Sequence, residues 1–375
     1  MSGFLRRRTI LRGIGATALS VTAGRAKVAD GLKVGVLTDL SGPSRLHGQR
    51  QFQGIEAAAE RARVTLVVRD TRGGGGGGDL AVAGHGAREL VGEGVAAIVG
   101  TSSGRTAAPV LELASQAGIP LIMPFAGVDQ AVPQHFAFRS GPTADQVMQT
   151  MADDLARTGH RTVAIITSTS SNEDERLRVL TLQLGQAGPA VAAVVRYQEP
   201  LTDFITPITA AVSAKPDALI FWGMPPNNGI AAHEARGIGW TGSLYFGSAA
   251  ATPLFLDGAG PAAEGVRVIG HWAMSAREAP RTLSNYNEMI AFVRQFEQTR
   301  GPIGAFACYG ADAVTLIHRA ARDGHDPAAI RTALENTVHQ GVTGSYRFSP
   351  DHHSGLSDDS LVVLTVTNGA WTLAP

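Results

Sequence analysis

The chain has 375 residues, 44% of them apolar, which exceeds one ordinary domain and suits two α/β lobes with a sizeable core each. Lysine plus arginine balances aspartate plus glutamate at 32 each, so neither nucleic acid nor an anionic membrane surface is an expected partner. Cys308 is the only cysteine, which excludes an intrachain disulfide and a cysteine-built zinc site; it is expected to be buried and inert.

The N-terminus reads as an address. Arg6-Arg7-Arg8-Thr9-Ile10-Leu11-Arg12 precedes a short apolar stretch over residues 13–23, followed by small residues. Positive charge, apolar segment and small residues in that order are the layout of an export signal, too short to span a bilayer stably. Arg7-Arg8-Thr9-Ile10-Leu11 also resembles a twin-arginine signal. Residues 1–30 are therefore expected to direct export to the periplasm, with cleavage after Ala23 or Ala26. A basic tail without a targeting role is the plain alternative. No later run is long enough for a membrane helix, so the mature chain is expected to be soluble.

From Leu32 onward strands and helices alternate. Lys33-Val34-Gly35-Val36-Leu37 reads as a buried strand, 49–62 as a helix and 64–68 as a strand. Helices at 80–92 and 106–117 alternate with strands at 95–99 and 120–123. The pattern then repeats: helices at 145–158, 173–186, 204–213 and 229–236 alternate with strands at 162–166, 191–196, 218–222 and 243–246. Three helices follow without strands between them, at 284–300, 305–322 and 327–336, before strand-like segments at 344–348 and 361–367. Apolar runs of this length between helical periods imply parallel sheets covered on both faces. Six consecutive glycines, Gly73 to Gly78, lack the Lys-Ser/Thr pair of a phosphate loop and read as a surface loop.

Ligands of open α/β sheets bind beyond the carboxyl ends of the strands. Five loops fall there: residues 40–48, 101–106, 124–127, 167–172 and 223–226. In the second, Ser102, Ser103 and Gly104 offer hydroxyls and backbone N–H groups at a helix N-terminus, where a carboxylate is favoured, and Arg105 adds a fork of donors. Plain capping by Ser103 or Thr106 is the simpler alternative. Gly100-Thr101-Ser102-Ser103-Gly104 also fits the G-x-S-x-G pattern of a nucleophile elbow, with His271 or His353 as nominal bases; no oxyanion-loop motif precedes it. Asp351-His352-His353 has no His-x3-His companion and reads as a solvated turn rather than a metal site. Met224 and Trp222 read as pocket wall or core, and His47 as a hydrogen-bonding pocket residue.

At this point the motifs resemble a known family. Residues 33–43, His47-Gly48, Ile98-Val-Gly-Thr-Ser-Ser-Gly104, Ile119-Pro-Leu-Ile-Met-Pro124, Phe138-Arg139, Pro216-Asp-Ala-Leu-Ile220, Tyr309-Gly-Ala-Asp-Ala313 and Phe348-Ser-Pro-Asp-His-His-Ser-Gly355 are similar, in order and spacing, to the leucine/isoleucine/valine-binding protein family. These are type I periplasmic binding proteins that feed ABC transporters. The resemblance implies two doubly wound parallel-sheet lobes joined by a three-crossover hinge, 31–143 plus 271–339 and 144–270 plus 340–375. It implies a non-enzymatic monomer without cofactor or metal, whose partners are a small-molecule ligand and the permease subunits of an ABC transporter. A ligand sensor built on the same clamp is the alternative role.

The resemblance also assigns site positions. Ser102, Ser103 and Gly104 match the loop that grips a ligand carboxylate. Ala126 and Gly127 match a second contact of the first lobe, and His47 an aromatic contact. Asn172, Trp222, Ala249 and Phe306 match contacts near the cleft. Gly127 stands where amino-acid binders offer a hydroxyl, Ala249 where some offer an acid to the α-ammonium, and Asn172-Glu173 replaces a Tyr-Gly pair. An unpaired ammonium in a closed cleft is costly, so the expected ligand is a carboxylate, an aromatic acid, an amide or a short hydrophobic acid rather than a standard amino acid.

Overall fold

A computed structural model describes residues 31–73, 78–124, 136–169 and 171–375, with side chains at all of these except 78, 79, 105, 171–173 and 175. The export signal expected over 1–30 lies outside the described residues, as do Ala126, Gly127 and Gly74–Gly77 of the glycine run.

The first sheet is parallel and, among the described residues, has five strands: β1 (Lys33–Thr38), β2 (Thr65–Asp70), β3 (Ala97–Gly100), β4 (Leu121–Met123) and β5 (Ala137–Arg139), in the order β2-β1-β3-β4-β5. Its strands alternate between two buried faces, as the period of two requires. Val34, Val36, Val99, Ile122 and Phe138 face α1 (Arg45–Ala62) and the later helix at Ala305–Ala320. Leu37, Ile98, Leu121 and Met123 face α2 (Gly78–Gly92) and α3 (Ala107–Ala117).

The second sheet begins after α4 (Ala144–Arg157), whose N-terminus is closed by a reciprocal cap between Thr143 and Gln146. It contains β6 (Thr162–Ser168), β7 (Ala190–Tyr197), β8 (Ala218–Trp222), β9 (Ser243–Phe246) and β10 (Arg267–His271), connected through α5 (Ser171–Ala187), α6 (Ile205–Ser213), α7 (Asn227–Gly237) and α8 (Pro253–Ala259). The chain then leaves for α9 (Tyr286–Arg300), α10 (Ala305–Ala320) and α11 (Pro327–Glu335), which pack with α1 against the first sheet. It returns through a hairpin of β11 (Val338–Gln340) and β12 (Ser345–Arg347) to β13 (Leu361–Thr367) and β14 (Ala370–Leu373). The second sheet runs β14-β13-β10-β9-β8-β6-β7; β13 pairs antiparallel with both β10 and β14, and the other pairs are parallel. The molecule is thus a mixed α/β protein of two lobes, with the backbone passing between the sheets three times.

Several expected boundaries move, two of them for reasons the contacts show. Helix α1 starts at Arg45, before residue 49, so His47 and Gly48 lie in its first turn rather than in a loop. Gly48 is there for packing: a Cβ would stand 2.1 Å from the Asp39 carbonyl oxygen. The strand expected at 64–68 is β2 at Thr65–Asp70, because Asp70 closes its end by accepting the N–H groups of Leu40 and Arg72 at 2.9 and 2.8 Å. Strand β10 escaped detection because it opens on a charge. Arg267 is tolerated there because its guanidinium forks onto the buried Asp154 carboxylate at 2.7 and 3.2 Å. Burial would raise the Asp154 pKa, but bonds from Arg267, Arg157 and Tyr245 outweigh it and hold the carboxyl below its usual value.

The lobes meet around α10. Gly54 and Gly310 let α1 and α10 touch backbone to backbone: a Cβ at Gly54 would sit 1.9 Å from the Ala307 carbonyl oxygen, and one at Gly310 2.6 Å from that of Gln51. Asp312, fully buried on α10, accepts N–H groups from Val342 and from Thr343, the latter at 2.8 Å. The Tyr346 hydroxyl lies 2.8 Å from Asp312 and 2.7 Å from the Ser140 carbonyl oxygen. One carboxylate therefore ties α10 to the returning hairpin, and through Tyr346 to the first crossing segment. Cys308, beside it, is buried, and burial pushes its thiol pKa well up, as expected of an inert cysteine.

Candidate functional site

The carboxyl ends of β1 and β3 bring the first set of candidates together. Gly100 closes β3 with φ 153°, and a Cβ there would stand 2.4 Å from the Leu37 carbonyl oxygen, so only glycine lets the chain turn this close to β1. Ser102 follows, buried, its hydroxyl accepting the Asp39 N–H at 2.8 Å. Ser103 and Gly104 lead into a single 3-10 turn (Gly104–Thr106) before α3. Of the two capping candidates, Thr106 does not act in that way. Thr106 occupies the N-cap of α3 without a side-chain cap bond; its hydroxyl donates to the Ser103 carbonyl at 3.1 Å. The backbone of Arg105 belongs to that turn, while its side chain lies outside the described residues.

His47 joins this group. Its ring is buried, 5.4 Å from the Phe306 ring centroid, and burial lowers its pKa, opposed in part by the Asp39 carboxylate and the Ser102 main chain. Phe306 lies in the first turn of α10, capped by Gly304. Asp39 itself accepts bonds from Thr71 and from the Gly73 N–H, the latter at 3.0 Å, and so pins the loop after β2 under the same edge.

The second sheet supplies the other set. Trp222 ends β8 in register with Thr167 of β6, and lines a recess with Met148, Ile165, Leu177 and Leu180. The same ring lies 3.2 Å from where a Cβ of Gly247 would be, so it reaches the exit of β9. Ala249 sits in the 3-10 turn (Ser248–Ala250) immediately beyond. Asn172 is placed in the first turn of α5, with its side chain outside the described residues. The Ala305 N–H donates to the Ala251 carbonyl at 2.9 Å, joining the Phe306 turn to the turn that carries Ala249. The carboxyl edges of both sheets therefore converge on the first turns of α10.

Of the two histidines named for a hydrolase, His353 is engaged by other groups. His353 stacks on Phe138 at 4.0 Å and bonds the Ala137 carbonyl and Glu335 at 3.0 and 3.1 Å. His271 is fully buried at the end of β10, and neither ring nitrogen has a hydrogen-bond partner. Among the described residues no cluster of three or more histidine, cysteine, aspartate or glutamate side chains is placed to hold a metal, Asp351-His352-His353 included. Nor is any helix among them long and apolar enough to cross a membrane.

Two buried histidines give the fold a pH dependence. Burial lowers His271 to about 3 and His339 to about 4, the latter helped by Arg319 and Arg322. Both take up a proton in the unfolded chain near the ordinary 6.5 but stay neutral in the folded one. Below that value the unfolded state binds more protons, so stability present at neutral pH is lost as pH falls toward 4 and then 3. The unfolding midpoint followed against pH is expected to fall along this window, and His271→Phe to flatten the slope.

Two parallel sheets wound on both sides, with candidate residues gathered at their facing carboxyl edges, define a two-lobed α/β ligand-binding architecture. The chain matches the periplasmic binding protein family over residues 31–370 and belongs to it. Among solved structures it is similar to an extracellular ligand-binding receptor from Rhodopseudomonas palustris HaA2, at 22% identity and TM-score 0.82, covering 92% of this chain and 99% of that one. It is also similar to the leucine-binding protein LivK of Thermotoga maritima, at 21% identity and TM-score 0.77, covering 92% and 98%. A third is the branched-chain amino acid transporter substrate-binding protein LivJ of Streptococcus pneumoniae in complex with isoleucine, at 21% and 0.78, covering 91% and 97%. No curated protein matches the chain.

Proposed function

We propose that the chain is the extracytoplasmic substrate-binding protein of an ABC importer, working in the periplasm as a monomer. In this reading it captures a small organic solute between lobes 31–143 plus 271–339 and 144–270 plus 340–375 and presents the closed form to the permease. The observation that carries the reading is the convergence on α10: Phe306 beside His47 on one side, and the bond from Ala305 to the Ala249 turn on the other. A ligand that touches both edges favours the closed arrangement, and only such differential contact shifts the population. Ser102, Ser103 and Gly104 grip one end of the solute, with Arg105 next in the chain; Ala126 and Gly127, which the resemblance assigns to the same end, lie outside the described residues. Trp222, Asn172 and Ala249 complete the pocket from the second lobe. No bond is made or broken, so no catalytic residue is assigned.

The solute is a carboxylate, an aromatic acid, an amide or a short hydrophobic acid. Family relatives include proteins named for leucine and isoleucine, but the side chain at 249 is a methyl group. An α-ammonium held against it in a closed cleft would lose its water without gaining a counter-charge, at several kcal/mol, on the order of an unpaired buried ion. Titration calorimetry with leucine, isoleucine and a panel of simple carboxylates tests this. No heat from either amino acid is expected, and tight leucine binding would overturn the ligand assignment.

A further inference from the structure

The end of β10 carries an unusual group of polar atoms. His271 is fully buried, and neither Nδ1 nor Nε2 has a hydrogen-bond partner. Its ring centroid is 5.5 Å from that of Tyr309, which is buried on the second turn of α10. The Tyr309 hydroxyl makes no bond of normal geometry, although the Ser248 hydroxyl stands near enough to oppose part of the rise in its pKa. Buried imidazole and phenol groups left unpaired are costly, on the order of 1–3 kcal/mol each, so such a group is kept where something else completes it.

Its position says what that is. β10 runs parallel to β9, so His271 lies at the same carboxyl edge as the Ser248–Ala250 turn and Trp222. Tyr309 lies one turn beyond Phe306, whose ring meets His47 at the first sheet. Tyr309 and His271 thus stand where α10 meets the carboxyl edges of both sheets. The charges nearby are committed: Asp312 is taken up by Val342, Thr343 and Tyr346. His271 is neutral across the physiological range, because burial holds its pKa near 3.

We propose that His271 and Tyr309, with Ser248, form a polar subsite at the carboxyl edges that receives an uncharged group of the solute able both to donate and to accept a hydrogen bond, a hydroxyl or a carboxamide. A neutral imidazole has one donor and one acceptor nitrogen, and a phenol or serine hydroxyl serves as either. Such a set matches a hydroxyl or primary amide, and it neutralises neither an ammonium nor a carboxylate. This deepens the solute-binding reading and rests on it: the ligand is an acid gripped at Ser102–Gly104 that carries a second, uncharged polar end.

The test uses the full mature chain and acid pairs that differ only at the far end: pentanoate against 5-hydroxypentanoate and glutaramate, and phenylacetate against 4-hydroxyphenylacetate. Affinities are read by calorimetry for the wild type, Tyr309→Phe and His271→Asn. The polar member of at least one pair is expected to bind about tenfold or more tightly than its plain partner, as a site built for a hydroxyl or amide discriminates. Tyr309→Phe, which removes one oxygen atom from the core, should shrink that gap. His271→Asn should act in the same direction. Plain acids that bind as well as their polar partners would overturn the subsite and leave the solute-binding reading standing. If no acid of either kind binds, the acid grip at Ser102–Gly104 fails and the subsite that rests on it is overturned.

Discussion

Asp312→Ala is expected to lower the stability of the folded chain by about 3–5 kcal/mol, because it strands several buried donors at once. The carboxylate accepts the Val342 and Thr343 N–H groups and faces the Tyr346 hydroxyl, all in a region closed to water. No other side chain in that cluster offers them an acceptor of equal strength. Burial pushes the Asp312 pKa up to about 6 against the pull of these same donors, so the group is ionised at neutral pH only because they hold it. Asp312→Asn keeps one carbonyl oxygen and is expected to fall between the wild type and the alanine variant in thermal unfolding. Equal midpoints for all three would show that the hairpin is held by something else. Because Tyr346 also reaches Ser140, the alanine variant should loosen the segment that links β5 to α4, and with it the setting of one lobe against the other.

The second large effect is steric. Gly54→Val is expected to destabilise by about 3 kcal/mol or more, since overpacking against backbone has no flexible neighbour to absorb it. A Cβ at this position would lie 1.9 Å from the Ala307 carbonyl oxygen, which is far inside contact distance. The two helices must part. His47 is carried by α1 and Phe306 by α10, so their 5.4 Å ring contact would be lost as well. A folded Gly54→Val protein with wild-type unfolding would mean that the close approach of the helices is dispensable. Gly310→Val, against the Gln51 carbonyl at 2.6 Å, should act in the same direction but less.

The alternating architecture was legible because the buried strands are short, almost wholly apolar runs and their helices keep a regular period. Ala218–Trp222 and Ser243–Phe246 stand out for that reason. What stayed hidden depended on distant partners. Arg267-Val-Ile-Gly-His271 does not look like a strand until Asp154 is seen to neutralise its arginine, and its Gly270 makes room for Leu364, whose nearest atom would lie 2.3 Å from a Cβ there. Phe138 and Arg139 belong to a recognisable motif, but a three-residue strand gives too little periodicity to be read as one. In the same way Gly48 reads as a loop residue in sequence, and Gly54 and Gly310 fall inside expected helices without a local sign of their role; all three prove to be points of helix and backbone contact.

The candidate site divides along the same line. Ser102, Ser103 and Gly104 were visible because a strand, two hydroxyls and a helix start follow one another directly. His47 reads as a pocket residue and Trp222 as pocket wall or core in sequence, Phe306 entered through resemblance alone, and the structure places His47 and Phe306 ring to ring. Tyr309 and His271 had no local signal as a pair, since one is a helical aromatic and the other closes an unrecognised strand. Their pairing arises only from the way α10 lies across the ends of both sheets.

The most direct measurement is a crystal structure of the mature protein purified with the solute it carries from the cell. Electron density for that solute is expected between the sheets, with an acidic end on the Ser102–Gly104 backbone and the rest reaching toward Trp222 and Ala249. A solute bound elsewhere on the molecule, with Ser102 and Ser103 packed away from it, would contradict the account.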